Sequence, residues 1–186
     1  MSTSVLLNRF ITAQNRLQLQ LGHLVAWGAL SLVLLTALIV ILRYGFNIGS
    51  VALQQAALYN HAILFMLGIA YTYLQDKHVR VDIFYGQASK TRQAWIDLIG
   101  TLLLVLPSMA FIVWSGWDYV AASWAIQERS AESGGLGYLY LIKTLILVMA
   151  ALVTLQALAI AARAWLQISD PQALPAEAPT EVEGKL

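Results

Sequence analysis

A single histidine lies deep inside a long apolar run, where it could act on a proton, a metal or a partner. His61 is about ten residues into the run, which is about 15 Å along a helix and near the middle of a bilayer. It could ligate haem, relay protons, or hydrogen-bond as a neutral imidazole to a neighbouring helix or a partner subunit. A bis-histidine haem needs a second deep histidine, and His23 and His78 lie at the edges of the apolar runs. Contact with a partner subunit is therefore the expected role, and a haem-binding membrane anchor of a respiratory enzyme is the alternative.

A lysine and two aspartates lie in or beside other apolar runs. Lys143 is about six residues inside the last run, so we expect it to pair with Asp118 or to extend towards the outer surface. Asp97 is about 30 Å from Asp118 along the same helix, which excludes a bond to Lys143. Arg92 and Arg163 lie at the level of Asp97, which is a candidate contact for a partner subunit.

Two glutamates follow the third apolar run in a polar segment. Glu128 and Glu132 are one helical turn apart, and we expect a helix to about Glu132 that ends at Gly134–Gly135. Together with Asp118 and Lys143 they are candidate contacts on the outer side of the membrane. The chain has no Cys, no Ser/His/Asp set, no metal-spaced ligands and no glycine-rich phosphate loop. We expect neither a cofactor nor catalytic activity.

The elements that position these residues are four long apolar runs. The chain is 59% hydrophobic and only 11% charged, whereas soluble domains have about a quarter charged residues. Each run is long enough to cross about 30 Å of hydrocarbon as a helix. The sequence predicts an all-α membrane protein with four transmembrane helices, at about residues 24–42, 51–75, 96–117 and 139–162. The net charge of +1 does not indicate a nucleic-acid partner.

The distribution of Lys and Arg predicts the orientation. The N-terminal segment, the central loop and the C-terminal segment carry eight of them, and the other two loops carry one each. The positive-inside rule then places both termini and the central loop in the cytoplasm. Residues 1–22 contain a predicted amphipathic helix in the membrane interface, with Leu6, Phe10 and Leu17 on its lipid side. A cytoplasmic extension of the first span is the alternative. Residues 169–186 are predicted to be disordered.

Two features of the predicted spans bear on their packing. Pro107 lies midway along the third span, where it removes a backbone hydrogen bond and should kink the helix. Ala150, Ala157 and Ala161 share one face of the fourth span, which permits close contact with another helix.

Four short motifs between residues 76 and 146 resemble those of a known family. They are HVRVD in the central loop, Glu128-x-Ser130, Gly134-Gly135-Leu136 and Ile142-Lys143. In this order and spacing, the chain resembles the small (DctQ-type) membrane subunit of tripartite ATP-independent periplasmic (TRAP) transporters. One departure is Gly137, which stands where relatives often have Pro after Gly-Gly-Leu.

The resemblance implies a role in transport. In that family a large, many-spanned subunit moves the substrate by an elevator-like motion driven by a sodium gradient. A periplasmic binding protein delivers the substrate, typically a carboxylate. The small subunit lies in the bacterial inner membrane, contacts lipid, packs beside the large subunit as a scaffold and helps the binding protein to dock.

The central loop carries the predicted contact with the large subunit. Along HVRVD, branched apolar residues alternate with Arg80 and Asp82, and this period of two favours an extended segment with two unlike faces. We expect Arg80 and Asp82 to form paired contacts with the partner. The alternative is a solvated turn whose charges only set the orientation.

Overall fold

A computed structural model of the chain describes residues 3–75, 85–86 and 88–174. This part is helical and contains no strand. Its helices are α1 (Thr3–Gly45), α2 (Val51–Leu74), α3 (Lys90–Gly100), a π-helical turn (Thr101–Val105), α4 (Leu106–Ala125), α5 (Leu139–Ser169) and a short 3-10 helix (Pro171–Ala173). Arg80, Asp82 and most of the predicted disordered tail lie outside the described residues.

Within the described residues, four helical segments are long and apolar enough to cross a membrane. They are α1, α2, the continuous segment Lys90–Ala125 that joins α3 to α4, and α5. An uncharged stretch of about 20 residues can lie in hydrocarbon as a helix, because its buried backbone N–H and C=O groups bond to one another within the segment. The predicted all-α membrane protein with four spans is confirmed.

The first helix runs without a break from Thr3 to Gly45, and it is apolar over this length. It contains no proline, and Gly22 alone costs a helix only about 1 kcal/mol, so nothing ends it near residue 22. A separate amphipathic helix is therefore not observed. Phe10 and Leu17, predicted to lie on the lipid side, are exposed, and Gln14 and Gln18 are buried.

The third span contains a π-helical turn just before its proline. The N–H of Leu106 donates to the C=O of Thr101, five residues earlier. Pro107 has no N–H, and its ring would clash with a carbonyl four residues back in a regular α-helix. A π turn shifts the hydrogen-bond ladder by one residue and is a known form of helix distortion. The disruption expected at Pro107 therefore takes the form of this turn.

The helix α4 ends seven residues earlier than expected, at Ala125. Gln127 adopts a left-handed conformation with a φ of 49°. Its N–H donates to the C=O of Trp124 (3.1 Å), and the N–H of Glu128 donates to the C=O of Ser123 (3.0 Å). This pair of bonds is a Schellman motif, which closes a helix. The prediction of a helix to Glu132 is wrong because Gln127 occupies the position for which glycine is usually needed.

The contacts divide the chain into two compact units. The first comprises Met1–Gln20, Ala70–Met109 and Leu152–Leu186, and the second comprises Leu21–Ile69 and Ala110–Ala151. In the first unit, α3 packs on α5 through small and branched side chains, which are Ala94, Leu98, Ala161, Ala164 and Ile168. The predicted alanine face of α5 is confirmed as a packing surface, since Ala150, Ala157 and Ala161 are buried.

In the second unit, an asparagine joins α1 to α2. Asn60 Nδ2 donates to the C=O of Gly28 at 3.2 Å and to Ser31 Oγ at 2.5 Å. A Cβ at Gly28 would lie 3.4 Å from Asn60 Oδ1, so glycine permits this close approach. Polar side chains that bond across helices, together with small residues at the contact, are typical of packing within membranes.

Candidate partner-binding site in the α4–α5 loop

The loop between α4 and α5 is folded onto itself by hydrogen bonds. The N–H of Ser130 donates to the C=O of Leu136 at 3.1 Å, and the N–H of Gly135 donates to the C=O of Glu132 at 3.0 Å. Ser130 Oγ also accepts from the N–H of Glu132 at 3.2 Å. Gly134 has φ of 78°, a conformation that glycine adopts without steric cost. These bonds give the loop a defined shape.

An amide side chain from α2 fastens this loop. Gln55 Nε2 donates to Ser130 Oγ at 2.5 Å, and its Oε1 accepts from the N–H of Leu136 at 2.7 Å. Gly135 lies against the same contact. A Cβ there would be 2.6 Å from Ser130 Cβ and 2.8 Å from Gln55 Oε1. Gly135 is therefore required for close packing, whereas Gly134 is required for its backbone conformation.

An ion pair joins the start of the loop to α5. Lys143 Nζ lies 2.5 Å from Glu128 Oε2, with 14% of the lysine side chain and 27% of the glutamate side chain exposed. The ammonium also lies 4.1 Å from the centre of the Tyr119 ring, within the range of a cation–π contact. Asp118 is exposed on α4. The predicted pairing of Lys143 with Asp118 is wrong, because the turn at Gln127 brings Glu128 back to the lysine.

The ion pair keeps the carboxyl group of Glu128 deprotonated. The hydrogen bond from Lys143 holds the pKa of Glu128 below its usual value of 4.5. A group whose pKa is lowered by folding stabilises the folded state above its usual pKa, and this contribution is lost as the pH falls through the lower value. The carboxylate is consequently charged and paired at neutral pH.

Two aromatic side chains hold the end of α4 against the start of α5. Trp124 Nε1 donates to Thr144 Oγ1 at 2.8 Å. The rings of Trp124 and Tyr140 pack edge to face with centroids 4.8 Å apart, a favourable geometry for aromatic pairs. The α4–α5 loop is thus anchored at its base as well as by Gln55.

Glu132, in contrast, is exposed on the loop and available to a partner.

The helix α2 carries a second candidate surface. Gln54, Leu58, His61 and Phe65 recur at helical spacing, and all four are exposed. The imidazole of His61 stacks on the ring of Phe65, with centroids 6.3 Å apart and planes inclined by 22°. A polar ring near the middle of a membrane-spanning helix therefore lies on a face that the described part of the chain leaves exposed.

The remaining candidate site residues lie in one or the other compact unit, except Arg80 and Asp82, which are outside the described residues. Asp97, on α3, accepts a hydrogen bond from the hydroxyl of Tyr85 at 2.8 Å. His23 and His61 are both exposed. Within residues 3–75, 85–86 and 88–174, no group of three or more His, Cys, Asp or Glu side chains could hold a metal ion. Nothing in these contacts supports the haem alternative.

The α4–α5 loop and the α2 face lie inside a stretch that a family model recognises. The model for tripartite ATP-independent periplasmic transporters, DctQ component, matches residues 32–167, well over half of the chain. This chain belongs to the DctQ family. As a DctQ component it is a small, multi-pass membrane subunit of a TRAP transporter, and its partners are the large permease and the periplasmic binding protein. Comparison with curated proteins and with solved structures finds no match.

Two contacts of this DctQ subunit were missed by reasoning from its sequence. Gln55 fastens the loop, and its only sequence signal is an adjacent amide, Gln54, near the start of an apolar helix. In a helix, neighbouring residues point about 100° apart, so one amide can face the protein while the other faces out. Tyr85, the donor to Asp97, gave no comparable signal.

Proposed function

We propose that this DctQ subunit is a non-catalytic scaffold for the large subunit of an organic-acid importer in the bacterial inner membrane. Its family membership supports the transport role. The observation that carries the scaffold role is the exposed His61 face of α2. The folded α4–α5 loop supports a second role, assistance in docking the binding protein, with Asp118 and Glu132 as exposed acidic contacts.

The physical argument concerns the depth of His61. It is the eleventh residue of the 24-residue helix α2, and it lies between exposed Leu58 and Phe65. A polar or ionisable side chain at this depth is costly in lipid and usually faces protein. A helix of the large subunit packed over this face would remove Leu58 and Phe65 from lipid and give the imidazole a hydrogen-bond partner.

Photo-crosslinking tests this contact. A photoreactive phenylalanine analogue at Leu58 or at Phe65 should crosslink to the large subunit in membranes. The same analogue at Leu34, which is 61% exposed on α1, is the matched control and should crosslink to lipid. In addition, His61→Leu should weaken the complex about 3- to 20-fold, the equivalent of one hydrogen bond between helices in a membrane. Crosslinking that is as strong at Leu34 as at Leu58 would exclude a docking face on α2.

The orientation forms part of the same proposal. The excess of Lys and Arg in the central loop and terminal segments supports a cytoplasmic location for both termini. The start of α1 then lies at the inner leaflet, with the exposed Arg9 and Arg16 near lipid phosphates. Arg80 and Asp82 would face the cytoplasmic side of the large subunit, as predicted from the HVRVD pattern.

Labelling of introduced cysteines tests the orientation, because the natural chain has none. Ser133 is exposed in the α4–α5 loop and Ser89 is exposed at the start of α3. In intact cells an impermeant thiol reagent should label Ser133→Cys and leave Ser89→Cys unlabelled until the cells are opened. Labelling of Ser89→Cys alone in intact cells would mean that the subunit is inserted the other way round.

A further inference from the structure

A cavity of about 440 Å³ lies in the first compact unit. Residues of α1, α2, α3 and α5 line it, and so does Tyr85. The volume is within the range of about 300–1,000 Å³ that is typical of small-ligand sites. Apolar side chains, among them Ile11, Leu74 and Ile160, form one part of the wall, and amide side chains form another. The cavity therefore suits a molecule that has both a polar and an apolar part.

Two amide side chains of the wall use their NH₂ groups for bonds within the chain. Gln93 Nε2 donates to the C=O of Tyr85 at 3.0 Å, and Gln167 Nε2 donates to the C=O of Lys90 at 3.2 Å. A carbonyl oxygen only accepts, so the NH₂ end of each amide is the end that is engaged. The amide oxygens remain as acceptors, and the wall is better supplied with acceptors than with donors.

A third amide of the wall is buried and has an acceptor without a partner. Gln156 is only 1% exposed, and its Nε2 donates to Asn15 Oδ1 at 3.4 Å. Its Oε1 has no hydrogen-bond partner among the residues that the structure describes. Buried polar atoms are nearly always hydrogen-bonded, so an unpaired acceptor in the wall of a cavity indicates an occupant that supplies a donor. A hydroxyl group and an ammonium group both qualify.

The charge of the wall decides between these two donors. Asp97 and Arg163 have opposite charges, and each already has a partner within the chain, so neither selects a ligand by its charge. Lys90 is exposed and forms no ion pair with a described residue, which leaves one positive charge at the cavity. A positive charge repels an ammonium group and attracts a phosphate. A neutral hydroxyl on a molecule that carries a phosphate therefore fits the wall best.

We propose that this cavity binds the glycerol-phosphate head group of a membrane phospholipid, phosphatidylglycerol. A hydroxyl of the head group donates to Gln156 Oε1, the phosphate lies near Lys90, and the apolar part of the wall contacts the start of the acyl chains. Lys90 is the first residue of the membrane-crossing segment Lys90–Ala125, and basic pockets between membrane helices bind anionic lipid head groups. The site is independent of the scaffold role, because it does not need the large subunit.

Native mass spectrometry of the full-length chain tests the hydroxyl contact. The protein is purified in an amine-oxide detergent, which has no hydroxyl group, and is offered equal amounts of phosphatidylglycerol and phosphatidylethanol with the same acyl chains. Both lipids carry a single negative charge, but only phosphatidylglycerol has hydroxyls on its head group. One phosphatidylglycerol per chain should be retained about tenfold more than phosphatidylethanol, because only its hydroxyls can pair the buried acceptor. Equal retention of the two lipids would overturn the proposal.

A third lipid tests the charge of the donor. Phosphatidylethanolamine offers N–H donors on an ammonium group instead of hydroxyls. With the same acyl chains it should be retained less than phosphatidylglycerol, because the ammonium group is repelled by Lys90. A preference for phosphatidylethanolamine would show that the donor is cationic and would contradict the proposed ligand.

Substitutions in the wall assign the bound lipid to the cavity. Gln156→Leu should abolish the preference for phosphatidylglycerol over phosphatidylethanol. Gln20→Leu makes the same change at an exposed position of α1 that does not line the cavity, and it should keep the preference. If Gln156→Leu is not inserted, Lys90→Gln changes an exposed side chain of the same wall, and it should weaken retention of both anionic lipids without changing their ratio. A preference that persists in Gln156→Leu, or full retention in Lys90→Gln, would exclude this site.

Glycerol phosphate also occurs as a free compound, and a competition experiment separates the two sources. Glycerol 3-phosphate at millimolar concentration is added to the lipid-bound protein. Lipid that stays bound supports the phospholipid as the ligand, since the apolar wall then contributes to binding. Replacement of the lipid by an adduct of the mass of glycerol 3-phosphate would assign the cavity to the soluble compound and overturn the lipid source.

Discussion

Gly135→Ala is expected to detach the α4–α5 loop from α2. The added Cβ would lie 2.6 Å from Ser130 Cβ and 2.8 Å from Gln55 Oε1, closer than real contacts allow. Overpacking of this kind costs about 1–3 kcal/mol, and each of the two hydrogen bonds of Gln55 contributes about 0.5–1.5 kcal/mol. The amide of Leu136, which is bonded to Gln55, should exchange its hydrogen much faster in the variant. Hydrogen exchange followed by mass spectrometry of residues 130–138 in lipid nanodiscs measures this.

The chain offers a matched control for that substitution two residues away. At Gly137 an added Cβ would meet only the flexible side chain of Arg129, at 3.7 Å, and its φ is not positive. Gly137→Ala should therefore leave the exchange of Leu136 unchanged. Gln55→Leu should reproduce the fast exchange of Gly135→Ala, because it removes the same two bonds. Slow exchange in both Gly135→Ala and Gln55→Leu would show that the loop keeps its shape without α2.

Glu128→Ala is expected to destabilise the subunit more than Lys143→Met does, although both changes break the same ion pair. Lys143 belongs to the membrane-crossing helix α5 and its side chain is the less exposed of the two. Without Glu128 its ammonium would remain in this position with the ring of Tyr119 as its main support. Without Lys143, in contrast, Glu128 can turn from the loop into water. Removing one member of a poorly hydrated pair is harmful chiefly because the other charge remains.

The apparent unfolding temperature in lipid nanodiscs measures this asymmetry. The Glu128→Ala variant should have the lowest value, and the double variant should recover most of the loss because no unpaired charge remains. Lys143→Met should be close to the double variant. Because the pKa of Glu128 is lowered by the pair, the advantage of the unsubstituted subunit over Glu128→Ala should persist from neutral pH down to the usual value near 4.5, and it should be lost as the pH falls through the lowered pKa. Additive losses in the double variant would contradict a direct coupling of the two side chains.

The sequence predicted the helices and the family well, for a physical reason. A long uncharged run in a membrane can satisfy its backbone only as a helix, so composition alone determines the four spans. Small residues on one face of a helix likewise indicate close packing, and Ala150, Ala157 and Ala161 are buried accordingly. The motifs of the α4–α5 loop were also recognisable, because glycines and polar residues are uncommon beside such apolar runs. None of these features depends on which helices are neighbours.

The partner of each polar side chain was decided only by the tertiary structure. The helix α4 ends at Ala125 because Gln127 adopts a left-handed conformation. The resulting turn places Glu128 beside Lys143, so Lys143 pairs with Glu128 and not with Asp118. Gln14 and Gln18 of α1 are buried, and the sequence did not indicate that these two amides face protein. Periodicity shows that a helix has two unlike faces, but it does not show which face another helix covers. That choice depends on contacts between residues far apart in the chain, such as Gln55 with Leu136.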